Sequence, residues 1–216
     1  MDLDKLKAKV NPASTAFIII DMQKDYCCEG GTFHRRGLDI EPAQKLAARL
    51  NLFLGKARRV LKYIVHVKMT KAPDLASKVS AELYARLGIE RKYDPAYAEF
   101  YGVVPQEGDT VIAKYKYSGF VATYLDLFLR SRDVKTLIIT GVATNVCIES
   151  TARDGFMRDY FIVVPSDLTE GTCAEAKKWS LSTIDTYFGQ VVDSESLLRC
   201  WDPYVKRGAR CDRPSP

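Results

Sequence analysis

The run Thr15-Ala-Phe-Ile-Ile-Ile-Asp21 is the strongest apolar stretch in the chain, and it narrows the choice of fold more than any other feature. It is too short for a helix of ordinary length and shows no alternation of apolar with polar residues. It therefore reads as a β-strand covered on both faces, as the strands of a parallel sheet are. Lys135-Thr-Leu-Ile-Ile-Thr-Gly141 has the same character, and Thr110-Val-Ile-Ala-Lys114 is a shorter, β-branched version. Further strands are expected over Val60 to Val67, Tyr160 to Pro165 and near Val191. Helical spacing predicts helices over Pro42 to Arg58, Ala76 to Leu87, Val121 to Arg130 and Cys173 to Tyr187. Alternation of this kind argues for an α/β fold with a parallel sheet and helices on both faces. No Gly-x-Gly-x-x-Gly follows any of these strands, which disfavours a dinucleotide cofactor.

Three strands stop on residues that carry chemistry. The first ends on the carboxylate of Asp21 and another on the amine of Lys114. Beyond Gly141 comes Val-Ala-Thr-Asn-Val-Cys-Ile-Glu-Ser-Thr-Ala-Arg-Asp-Gly-Phe156. Thr144 and Asn145 are good N-cap types, Ile148, Ala152 and Phe156 recur at helical spacing, and Glu149 precedes Arg153 by four residues. Cys147 is thus expected in the first helical turn, where unpaired N–H groups and the helix dipole favour a thiolate. Ligands of open α/β sheets bind beyond the carboxyl ends of the strands. Asp21, Lys114 and Cys147 are therefore expected to converge on one crevice as base, cation and nucleophile for acyl transfer.

At 216 residues and 47% hydrophobic composition, the chain suits one domain, which buries roughly 70% of its unfolded surface. The expected organisation is one unit over 1–216, with a core from about 14 to 200 and a flexible basic tail over 203–216. The start, Met-Asp-Leu-Asp-Lys-Leu-Lys, lacks the apolar core of a signal peptide and no run is long enough to span a membrane, so a soluble, cytoplasmic protein is expected. A net charge of +5 arises from 32 basic and 27 acidic residues spread along the chain, which does not indicate nucleic-acid binding. The six cysteines form no Cys-x-x-Cys pair, and neither disulfides nor structural zinc are expected.

The chain resembles the isochorismatase-like cysteine hydrolases. Asp21 in Ile-Ile-Ile-Asp-Met-Gln, Lys114 in Val-Ile-Ala-Lys and Cys147 in Gly-Val-Ala-Thr-Asn-Val-Cys carry the likeness, together with Tyr117-Ser-Gly-Phe, Leu129-Arg-Ser-Arg, Arg153-Asp-Gly-Phe and Thr186-Tyr-Phe-Gly. It extends from Ala16 to about Leu197. The resemblance implies a three-layer, Rossmann-like fold with a mainly parallel six-stranded sheet. It also implies Asp21, Lys114 and Cys147 as a catalytic triad, a cis peptide at Val142–Ala143, and an oxyanion hole from the N–H groups of Ala143 and Cys147. Tyr26 and Tyr117 are the implied substrate-binding residues, and a homo-oligomer, dimer or tetramer, is the implied assembly.

The implied reaction is cleavage of a C–N bond in a small ureido, carbamoyl or amide compound of the ureidoacrylate type. Ammonia is released through a thioester, without a cofactor. Lys116 stands where ureidoacrylate-specific members carry arginine, which brings in biuret and N-carbamoyl amino acids as alternative substrates. A noncatalytic binding protein that retains the fold is the alternative of a different class. Nicotinamidases of this family bind a metal through Asp-x-His after the second strand. The matching stretch here, Lys68-Met-Thr-Lys-Ala-Pro-Asp74, has no histidine, so no metal is expected, and His34 and His66 are read as surface or structural residues.

Overall fold

The computed structural model describes residues 2–70, 77–89 and 94–206. The strands are β1 Thr15–Ile20, β2 Tyr63–Met69, β3 Thr110–Lys114, β4 Thr136–Val142, β5 Phe161–Pro165, β6 Thr169–Glu170 and β7 Gln190–Val192. The α-helices are α1 Leu3–Lys9, α2 Lys24–Cys27, α3 Thr32–Arg35, α4 Glu41–Ala57, α5 Lys78–Arg86, α6 Leu125–Arg130, α7 Glu149–Phe156, α8 Ala174–Tyr187 and α9 Ser194–Lys206. The sheet runs β3-β2-β1-β4-β5-β7, with the two-residue β6 paired to β4 beside that path. Every strand pair is parallel. The expected α/β fold is thus present, with six strands on the main path and β6 as an addition.

Strand β1 lies at the centre between β2 and β4, and all six of its residues are buried. Its side chains alternate between two cores: Phe17 and Ile19 join one, while Ala16, Ile18 and Ile20 join the other. Period-2 alternation is therefore hidden inside a continuous apolar run because helices cover both faces. Leu46, Leu50, Phe53 and Leu54 of α4 fill the first core with Leu197 and Trp201 of α9. Leu125 and Leu129 of α6, Ala152 of α7 and Ile184 of α8 fill the second. Each such large apolar side chain contributes about 1.5–3 kcal/mol by leaving water.

Helices α1 and α9 are absent from the sequence reading. Asp2 caps α1 by accepting from the N–H groups of Asp4 and Lys5 at 3.1 and 3.2 Å, and Leu6 is its buried residue. Ser196, Leu197, Cys200 and Trp201 form the buried stripe of α9, and the Trp201 indole donates to Val10 O at 2.9 Å. Pro203 lies inside α9, and with the basic residues around it hides the amphipathic pattern. Helix α9 continues to Lys206, so the first four residues of the expected tail at 203–206 are helical. Residues 207–216, the rest of that tail, lie outside the described residues.

A buried polar cluster ties three elements together on the β3 side. Arg58, just after α4, grips Asp109 with two bonds of 2.6 Å, and His66 on β2 reaches the same carboxylate at 3.1 Å. His66 is therefore structural, as expected. His34 is exposed and accepts from Gly30 N–H at 3.2 Å. Burial would raise the Asp109 pKa, but Arg58 and His66 outweigh it and hold the group well below its ordinary value. A depressed carboxylate pKa stabilises the fold above the unfolded value of 3.8, and that contribution fades as pH falls through the folded value. Asp109→Asn is expected to cost about 3 kcal/mol near neutral pH, since it leaves a buried guanidinium with half a partner. Urea denaturation at neutral and strongly acidic pH checks this, because the gap between wild type and variant must shrink in acid.

Candidate active site

Asp21 follows the last residue of β1 with φ at +53°, a left-handed conformation that Asp tolerates better than most residues. Its N–H donates to Val67 O at 2.8 Å, so the chain turns sharply while still tied to β2. Next to it, Gln23 is buried and its amide serves three backbone groups: Met69 N–H at 2.7 Å, Met69 O at 3.0 Å and Ala98 O at 2.9 Å. This one side chain fixes the ends of β1 and β2 against the segment that leads toward β3.

Lys114 ends β3, which is two positions from β1 with β2 between, or roughly 10 Å across. Its long side chain spans that gap and is fully buried. The ammonium lies 2.7 Å from Asp21 Oδ2 and 3.4 Å from Cys147 Sγ, and donates to Lys116 O at 3.2 Å. Residues placed at three strand ends by the sequence therefore meet in one buried cluster.

The turn that carries Cys147 departs from expectation. Thr144–Ile148 is a π-helical turn, and α7 begins only at Glu149. Neither Thr144 nor Asn145 is a cap; Ala143 is the N-cap of the π turn and Ile148 that of α7, both without a side-chain bond. The physical reason is that Asn145 is engaged elsewhere: its amide donates to Thr172 Oγ1 and accepts from Thr172 N–H, both at 2.9 Å. The Val142–Ala143 peptide is cis. Gly141 before it has φ at +107°, and a Cβ there would lie 2.0 Å from Ile20 O, so only glycine lets β4 pass this close to β1. The expected Glu149–Arg153 pair forms, at 2.6 Å.

The electrostatics reverse one sequence expectation. Burial and the nearby Asp21 carboxylate push the Cys147 thiol well above the ordinary cysteine value, and Lys114 only partly opposes them. This opposes the expected pull toward thiolate, because Cys147 is 6% exposed and faces an anion as well as a helix start. Burial likewise raises Asp21 against the pull of Lys114. Burial works against the Lys114 charge, but Asp21 and Cys147 more than compensate and hold its pKa up.

Of the two candidate substrate residues, Tyr26 on α2 is half-buried, edge-on to Phe33 at 5.0 Å. Burial pushes its phenol well up, with the electrostatics of Asp21 and Cys147 adding to the effect. It therefore borders the cluster. Tyr117 is 44% exposed on the loop after Lys114, and the ammonium's contacts do not include it. Sequence reasoning missed Tyr84 on α5, which shares the electrostatic surroundings of Tyr26. The only signal for it was its place in the irregular segment between the second and third strands. Among the described residues no group of three His, Cys, Asp or Glu side chains is arranged to hold a metal ion. The stretch Lys71 to Asp74, part of the metal-free reading, lies outside the described residues. No helix among the described residues is long and apolar enough to cross a membrane.

A family profile described as isochorismatase domain matches residues 15–196. The ureidoacrylate amidohydrolase RutB of Yersinia enterocolitica is 34% identical over 218 aligned positions, which cover 88% of this chain and 90% of that protein. The protein of the same name from Klebsiella pneumoniae is also 34% identical, over 89% of each chain. Among solved structures, a cysteine hydrolase from Pseudomonas syringae pv. phaseolicola superposes with a TM-score of 0.78 at 29% identity, over 90% of this chain and 95% of that one. A nicotinamidase from Bacillus subtilis, 22% identical over 83% of this chain and 99% of its own, shares the fold with a TM-score of 0.65. The chain belongs to the isochorismatase family.

Proposed function

We propose that this protein is a cysteine-dependent amidohydrolase that cleaves a small ureido or carbamoyl compound of the ureidoacrylate type and releases ammonia. It is a hydrolase of the isochorismatase family acting on amide C–N bonds. The observation that carries the finer reading is the buried ammonium of Lys114 standing between the Asp21 carboxylate and the Cys147 sulfur.

In this reading Asp21 takes the thiol proton as Cys147 Sγ bonds to the substrate carbonyl carbon, so thiolate forms only as it is consumed. Lys114 offsets the negative charge passing between the two groups. The N–H groups of Ala143 and Cys147 receive the oxyanion, a contact worth roughly 3 kcal/mol per donor. The C–N bond breaks, the proton on Asp21 leaves with ammonia, and a thioester remains on Sγ. Water then gives a proton to Asp21 as it attacks the thioester, and Sγ recovers that proton when the C–S bond breaks. Tyr26 beside the cluster is the proposed substrate contact, with Tyr117 and Lys116 on the loop after Lys114. The five described cysteines are all free, which supports a reducing, cytoplasmic setting. A homo-oligomer belongs to the same proposal.

The test is ammonia release from a panel of ureidoacrylate, biuret, N-carbamoyl amino acids and simple amides, before and after treatment with a chelator. Ureidoacrylate is expected to be turned over best, with no loss after chelation. Turnover of biuret or an N-carbamoyl amino acid alone would replace the substrate and keep the mechanism. No turnover of any compound would favour a noncatalytic protein, and chelator-sensitive activity that zinc restores would overturn the metal-free mechanism.

A further inference from the structure

The sequence stretches Ser118-Gly-Phe and Ile148-Glu-Ser-Thr take no part in the bond-making steps above, yet they meet at one buried hydroxyl. Thr151 is fully buried on α7. Its Oγ1 donates to Cys147 O at 2.7 Å and accepts from Gly119 N–H at 3.0 Å. The first bond is the usual back-bond of a helical threonine to the carbonyl four residues earlier. The second leaves the helix and captures the loop that follows Lys114. A Cβ on Gly119 would lie 3.6 Å from the Thr151 methyl, so the loop packs against this side chain as well as bonding to it.

These bonds close a ring around the reacting atoms. Cys147 Sγ contacts Lys114 Nζ at 3.4 Å, and Nζ donates to Lys116 O at 3.2 Å, on the loop whose Gly119 is held by Thr151. Lys114 and Cys147 sit beyond strands separated by β2 and β1, so the sheet alone does not set their separation. Both partners are instead referenced to the same hydroxyl. Threonine uses one donor and one acceptor here, a combination that valine of the same shape lacks and serine retains.

We propose that Thr151 is a positioning residue that fixes the Lys114–Cys147 contact by locking the nucleophile turn to the lysine loop. The inference rests on the triad reading of the preceding subsection. Thr151→Val and Thr151→Ser in the full chain, with Lys114→Ala beside them, test it through two readouts. One is the pH midpoint of Cys147 alkylation by iodoacetamide, followed by peptide mapping; the other is kcat and KM for ammonia release from ureidoacrylate.

Thr151→Val is expected to move the midpoint upward, in the direction of Lys114→Ala, and to lower kcat on the order of 10²-fold with little change in KM. Thr151→Ser is expected to stay close to wild type in both. A midpoint that moves in Lys114→Ala but not in Thr151→Val, or an equal loss in the serine variant, would overturn this role while leaving the triad intact. A midpoint unmoved by Lys114→Ala would overturn the triad reading and this inference with it. Should the valine variant not fold, Thr151→Ala, which leaves room for water at Gly119 N–H, is read by the same criteria.

Discussion

Cys147→Ala is expected to abolish ammonia release, and Asp21→Asn, which keeps the carboxylate's shape but not its basicity, is expected to lower kcat on the order of 10³-fold or more. The reason lies in how the two groups divide one proton. Burial and Asp21 itself push the thiol up, so in the proposed mechanism attack depends on the carboxylate accepting the proton during bond formation. The double variant is expected to lose little beyond Cys147→Ala, because residues that act as one unit do not contribute additively. Steady-state assays of the three variants decide it. An Asp21→Asn enzyme with near wild-type turnover would remove Asp21 from the proton path.

The second large effect is a pair of opposite shifts. Asp21 raises the Cys147 pKa and Lys114 lowers it, so Asp21→Asn must bring the alkylation midpoint of Cys147 down and Lys114→Ala must take it up. The sign follows from charge alone: losing an anion favours the thiolate, and losing a cation disfavours it. Alkylation with iodoacetamide, mapped by peptide across the alkaline range, reads both midpoints without any substrate. Movement of both in one direction would mean that the variants act through altered burial and not through the charges. Cys173, exposed at the N-cap of α8, is expected to label first in every variant and serves as an internal control.

What the sequence made legible was the placement of chemistry at strand ends. A buried strand must stop where its apolar run stops, so Asp21 and Lys114 were fixed at carboxyl ends, and Cys147 followed from the run ending at Gly141. The order of the strands was not legible, because β2 between β1 and β3 is set by crossover packing and not by local pattern. Nor was the π turn: Asn145 reads as a cap, and only the three-dimensional neighbour Thr172 diverts its amide. The upward push on the thiol was not legible because the sequence displays a helix start but not the depth of burial, its largest cause. Thr151 escaped notice because its bond to Gly119 joins residues distant in sequence. Helix α9 was hidden by Pro203 and the basic residues beside it.

Cys147 is expected to form a covalent bond to the acyl group of the substrate. The most direct measurement is the mass of the Cys147 peptide from enzyme quenched in acid during turnover of ureidoacrylate or the best substrate of the panel. The expected result is an added acyl mass on Cys147 that appears only during turnover, falls in Asp21→Asn and is absent from the matching peptide of Cys147→Ala. Continued ammonia release by Cys147→Ala, with no adduct on the Cys147 peptide of the wild type, would contradict it.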